Sequence, residues 1–103
     1  MNNEAKILDI AMNLNRIGNW AADGYAARQK RIHLFLDQTS KYLNSLDSSK
    51  FSDSFKKTFE LFLKEFPKLE KSGKNGPKDE LLWAEKIMTW GNILTHRAKL
   101  IRS

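Results

Sequence analysis

Two histidines, His33 and His96, and no cysteine set the first limits on the chemistry open to this chain of 103 residues. Imidazole titrates near neutrality and serves as an acid–base group, whereas disulfides and thiolate metal sites need cysteine. Neither histidine stands in an H-E-x-x-H or E-x-x-H spacing, so no metal set is expected and no cofactor is implied. The glycines of Gly73-Lys74-Asn75-Gly76-Pro77-Lys78 lack phosphate-loop spacing and follow no strand, which leaves a polar interhelical loop. No G-x-S-x-G pattern supports a nucleophilic serine. The arginines are more informative. On a helical wheel Arg28 falls among Tyr25, Ile32 and Phe35, and Arg97 beside Trp90, Leu94 and Ile101. A buried guanidinium needs a carboxylate or several acceptors. Each therefore either lays its stem along the core with the head in solvent or on a neighbouring helix's Asp or Glu, or lines a pocket or interface that receives an anion. His96 shares its side of the helix with Glu85, Thr89 and Asn92, away from the tryptophans, and is expected to be exposed.

The stretch Arg28-Gln29-Lys30-Arg31-Ile32-His33 has Arg-x4-His spacing and resembles the catalytic motif of HEPN-type ribonucleases. That resemblance implies a dimeric helical bundle in which Arg28 orients the scissile phosphate and His33 acts as acid or base. Where the family has Asn, Asp or His after the arginine, this chain has Gln29. A second resemblance, to a group of small cyanobacterial helical proteins, rests on Glu4-Ala5-Lys6-Ile7-Leu8-Asp9, on Asn19-Trp20-Ala21-Ala22-Asp23-Gly24-Tyr25 and on the tail from Trp90 to Leu100. It implies a cytosolic bacterial protein and carries over no site residue.

The elements that would position these groups read as helices throughout. Apolar residues at three- and four-residue spacing predict helices over about 3–18, 20–46, 51–66 and 77–101, packed as a single all-α domain over 1–103, an up-and-down four-helix bundle. The first stripe is Ile7, Ile10, Ala11, Leu14 and Ile17. Trp20 lies roughly opposite Leu14, so a break within 18–24 is expected, at Gly18-Asn19 or Asp23-Gly24. The second stripe is Tyr25, Ile32, Phe35, Leu36, Thr39, Tyr42, Leu43 and Leu46. The third is Phe51, Phe55, Phe59, Phe62, Leu63 and Phe66, with five of the six phenylalanines in one row. Pro67 is expected to end or kink it. Residues 72–78 have loop composition, and Pro77 suits the first position of the last helix, with Asp79 and Glu80 in its first turn.

That last helix carries Leu82, Trp83, Ile87, Trp90, Leu94, Ala98 and Ile101, with Leu82, Ile93 and Leu100 in a second apolar row and Leu81 and Met88 beyond the other edge. The arc is wider than one flank of a small bundle needs. The leading expectation is therefore a non-enzymatic interaction protein that self-associates or docks on a protein partner through Trp83, Trp90, Ile93, Arg97 and Leu100. The alternative partner is nucleic acid, through Arg28, Lys30, Arg31 and the lysines of 50–78. The net charge is +6, and eight lysines face four carboxylates (Asp53, Glu60, Glu65, Glu70) between residues 48 and 78. Lysines spread over a solvated face also serve solubility alone. No window approaches the roughly 20 apolar residues of a membrane span, and no signal peptide is read at the start. A cytoplasmic protein without membrane contact is expected.

Overall fold

The structure, a computed structural model, describes residues 2–102, with the backbone alone at residue 102. Four helices follow one another: α1 (Asn3–Gly24), α2 (Gln29–Asn44), α3 (Asp53–Asn75) and α4 (Glu80–Arg97). Short 3₁₀ turns occupy Ala26–Arg28, Ser48–Lys50 and Ala98–Arg102. No strand occurs among the described residues, and none of the helices is long and apolar enough to cross a membrane. Three helices open on side-chain caps that satisfy a first-turn N–H: Asn2 accepts from Ala5, Ser52 from Phe55 and Asp79 from Leu82. The fourth, α2, is entered directly from the 3₁₀ turn through Arg28.

Each helix contributes one stripe to a shared core. Ile7, Ile10, Leu14 and Ile17 of α1, Ile32 and Leu36 of α2, Phe55 and Phe62 of α3, and Ile87 and Leu94 of α4 are fully buried. Lys6 meets the Ser45 carbonyl and Trp20 meets Phe35. Between α2 and α3, Ser40 bonds Glu70 and Asp37 pairs with Lys74. Thr58 accepts from Arg97, Phe62 packs on Trp90, and the Leu69 carbonyl accepts from Trp83. Ala11 lies against Gly91 and Gly18 against Ala84. In every pair, residue numbers rise along one helix as they fall along the other.

The two sides of α4 are built differently. Towards α1 the contact residues are small. A Cβ on Gly91 would stand 2.6 Å from the Asn15 side chain and 3.1 Å from the Ala11 carbonyl, and one on Gly18 would stand 3.0 Å from the Ala84 carbonyl. The missing Cβ at Gly18 and Gly91 lets the two backbones run close, with the Met88 side chain lying over Gly18. Towards α3 the contact residues are Trp83 and Trp90 against Phe62 and Leu69, and such bulk holds helix axes apart. Accordingly α4 lies along α1 and stands off from α3.

Several sequence expectations are corrected. Of the two breaks expected within 18–24, α1 takes the one at Asp23-Gly24: it continues through Gly18, which is a close-packing position, and ends at Gly24 rather than at 18. Trp20 is out of phase with the main stripe because α1 has two neighbours. It is half-buried against α2, edge-to-face on Phe35 at 4.9 Å, with the Arg31 guanidinium 5.8 Å from its ring centre. Pro67 does not end α3, which runs on to Asn75. Pro67 and Leu63 are both exposed, so the Leu63 carbonyl that loses its i+4 donor faces water, and buried Phe66 and Leu69 hold the following turns in place. That exposure, 44% at Leu63, also removes it from the core row. Residues 72–75 are helical rather than loop, the chain turning at Gly76, whose φ of 88° suits a residue without a Cβ. Pro77 is buried ahead of α4, and Asp79 is its N-cap.

Gly73 shows how tight the α2–α3–α4 corner is. A Cβ there would collide with the Trp83 indole and stand 2.9 Å from Leu36 Cδ1. Alanine would raise helix propensity by about 1 kcal/mol, but a rigid indole cannot yield cheaply, and overpacking costs about 1–3 kcal/mol. Gly73→Ala is expected to lower the melting temperature by several degrees in a calorimetric scan; a rise would show that the corner has slack.

Candidate interaction groove

Because large side chains space α3 from α4, a trough remains between them. Two adjoining hollows of about 560 and 380 Å³ share Glu65, Leu69, Leu82 and Lys86 and so form one channel. Leu69, Leu82, Trp83 and Trp90 supply its apolar surface. Its rim is polar, with Glu65, Lys68 and Ser72 from α3, Lys78 and Asp79 from the turn, and Glu85 and Lys86 from α4. Leu82 is 47% exposed and Trp90 half-buried, so apolar surface is open to a ligand there. Among the described residues the ion pairs are Arg28–Asp23, Lys74–Asp37 and Lys74–Glu70, none of them on this rim.

The basic end of the trough is closed by a hydrogen-bonded junction. Trp83, 4% exposed, sits over Gly73, donates its indole N–H to the Leu69 carbonyl at 2.9 Å, and meets the Tyr25 ring edge-on at 6.3 Å. The Tyr25 hydroxyl donates to the Gly73 carbonyl. That carbonyl stands at the end of α3, and the residue four positions on is Pro77, which has no N–H to offer. With the phenolic hydrogen committed, His33 Nε2, 3.1 Å from Tyr25 Oη, is the donor of the remaining bond, which sets the imidazole tautomer. Burial, then the charge of Glu80, pushes the Tyr25 pKa above its ordinary value.

The residues singled out from the sequence fall in several places. Trp90 and Leu82 line the trough. Trp83 is 4% exposed and belongs mainly to the core while also lining the trough: the helical wheel finds its face but not its depth. Ile93 is half-buried one turn beyond Trp90, and Leu100 is half-buried with its carbonyl accepting from Ser52 Oγ at 2.5 Å. Arg97 is exposed and reaches α3, where it donates to Thr58 Oγ1 at 2.9 Å; among the described residues no carboxylate receives it. Arg28 pairs with Asp23 of α1 at 2.7 Å, Arg31 lies exposed over Trp20, and His33 holds Tyr25. Arg28 and His33 thus engage different partners, and Arg28 and Arg97 point to no common cavity. His96 is exposed. Among the described residues no three His, Asp or Glu side chains gather where a metal could be held. Sequence reasoning missed Glu65, Lys68, Leu69, Ser72 and Lys86; the first four share one flank of α3, but spacing alone does not say what that flank faces.

Comparison with protein-family models, with curated proteins and with solved structures finds no match to this chain. The class the fold defines is an all-helical protein with an open trough between two of its helices.

Tyr25 gives the junction a pH dependence. Its folded pKa lies above the unfolded value of about 10. The stability it adds is therefore fully present below pH 10 and lost as pH rises through the folded pKa. Tyr25→Phe is expected to cost about 1–2 kcal/mol at neutral pH, by orphaning the Gly73 carbonyl, and to flatten the alkaline loss of stability. Parallel urea curves for the two proteins from pH 8 to pH 11 would contradict this.

Proposed function

We propose that this chain is a non-enzymatic interaction protein, an up-and-down four-helix bundle that receives another polypeptide along the α3–α4 trough. Opposed residue order at all four helix contacts supports the up-and-down connectivity. The observation that carries the functional reading is the open apolar surface of Leu82 and Trp90, framed by charges that have no ion-pair partner among the described residues. Apolar centres with polar rims are the usual anatomy of protein contact surfaces. A photo-crosslinking amino acid at position 82, in the living source cell, is expected to yield a discrete adduct. The same group at position 34, a comparably exposed leucine on α2, should yield none. An adduct of twice the chain mass would identify a second copy and any other mass a different protein. Equal labelling at both positions, or none, would sink the reading.

A nucleic-acid partner is the second reading, favoured by exposed Lys57, Lys64, Lys68 and Lys71 on α3 and by Lys30 and Arg31. It requires binding whose logarithm falls linearly with the logarithm of salt concentration, with slope set by the phosphates neutralised. Flat salt dependence with mixed RNA or DNA would exclude it.

A further inference from the structure

We infer that the occupant of the trough is an acidic amphipathic helix of a partner protein, an inference that rests on the interaction reading above. The dimensions point to a helix. From Asp79 to Trp90 the α4 wall extends about 16 Å, three helical turns, and the two hollows along it suit side chains projecting at i, i+3 or i+4, and i+7. Leu69, Leu82 and Trp90 offer no donors or acceptors suited to phosphates or base edges, beyond the one indole N–H of Trp90. An apolar helix face covers them without stranding polar groups.

The charge pattern specifies the rest. Lys57, Lys64 and Lys71 are spaced by seven residues and, at 100° per residue, lie opposite buried Phe62 and Phe66, on the outer face of α3 rather than on the trough. Lys68, turned towards α4, is the lysine of α3 that lines the trough itself. All four are exposed, and among the described residues none has a carboxylate partner; the lysine of α3 that does, Lys74, faces α2 through Asp37 and Glu70. Lys78 and Lys86 stand on the remaining rim. An occupant with Glu or Asp towards the Gly76–Pro77 turn would meet Lys68 and Lys78 there, and Lys86 midway along α4. Rim carboxylates limit the match. Asp79 is occupied as the α4 cap, whereas Glu65 and Glu85 both line the Trp90 end, so the occupant's flank there is neutral or basic. A second copy fits less well, because its own rim lysines and net charge of +6 oppose the approach.

The test uses a dye-labelled helical peptide of about 15 residues, with leucines on one face and glutamates on one flank, beside a twin carrying lysine for glutamate. Anisotropy gives affinity, and ¹H–¹⁵N spectra follow the indole N–H resonances of Trp20, Trp83 and Trp90. The acidic peptide is expected to bind and to move the Trp90 resonance. Leu82→Glu should weaken it at least about tenfold, as should the triple variant Lys68→Glu, Lys78→Glu, Lys86→Glu. The triple variant Lys30→Glu, Arg31→Glu, Lys41→Glu changes the net charge equally on α2 and should leave affinity within about twofold. Absence of acidic-peptide binding, equal binding of the lysine twin, or equal loss in both triple variants would each overturn the inference. Dimerisation abolished by Leu82→Glu, with the peptide ignored, would overturn it while sustaining the interaction reading. Silence at position 82 together with no peptide binding would remove both.

Discussion

The seating of the Trp83 indole on Gly73 organises one whole end of this molecule. An indole can reach that depth only because residue 73 has no Cβ, and once there it is fixed by its bond to the Leu69 carbonyl. It then presents a face to the Tyr25 ring, which places the tyrosine hydroxyl at the Gly73 carbonyl. That carbonyl needs an outside donor because Pro77 follows four residues later. Tyr25 in turn lies just past the end of α1, and His33, one turn into α2, closes the chain of bonds. Residues from all four helices or their ends therefore meet around the Leu69 and Gly73 carbonyls. Each polar atom in the junction is satisfied, consistent with no buried side-chain nitrogen or oxygen lacking a partner among the described residues.

From this corner follows the unequal spacing of the helices. The α1–α4 interface is set by Ala11, Gly18, Ala84 and Gly91, which bring two backbones into contact. The α3–α4 interface is set by indoles and phenyl rings, which fill the inner space but cannot reach the outer margin. One side of α4 is therefore closed and the other open. A buried polar pair marks the α1–α2 side: Asn13 donates to Gln38 at 3.4 Å and Thr39 at 3.5 Å, and Thr39 donates to the Phe35 carbonyl. Shifting α2 along α1 by one position would strand these groups, so they hold the register that apolar contacts alone would leave loose.

Residue spacing made the helical class legible, together with most of the core, because a stripe at three and four residues has one reading in a chain without strand alternation. Spacing does not, however, count a helix's neighbours. Trp20 looked misplaced for that reason: one stripe was assumed where α1 presents two flanks, one to α4 and one to α2. Composition misled at the end of α3. Ser72, Gly73 and Asn75 have loop character, yet Gly73 is helical because the space a side chain would fill belongs to Trp83. Pro67 misled similarly, since its cost depends on whether the freed carbonyl is dry, and here it is wet. At the trough, Leu82 and Trp90 were legible as surplus apolar surface on the last helix. The polar rim from α3 was not, because Glu65, Lys68 and Ser72 acquire meaning only from the helix opposite.

What keeps the trough open is the same set of constraints that creates it. Closing it would require α4 to rotate or slide towards α3. Either motion would withdraw Gly91 and Ala84 from their contacts with Ala11 and Gly18, opening space along α1. It would also drag Trp83 off Gly73 and break its bond to Leu69, leaving an indole N–H buried and unpaired at a cost of about 1–3 kcal/mol. The turn at the basic end resists as well. The four residues Gly76, Pro77, Lys78 and Asp79 connect α3 to α4 without intervening helix, and buried Pro77 is itself part of the trough wall. Collapse onto Leu82 and Trp90 would thus recover some apolar area at the expense of packing already made on the opposite side. The surface is therefore preformed, and an occupant need spend little on reorganising it.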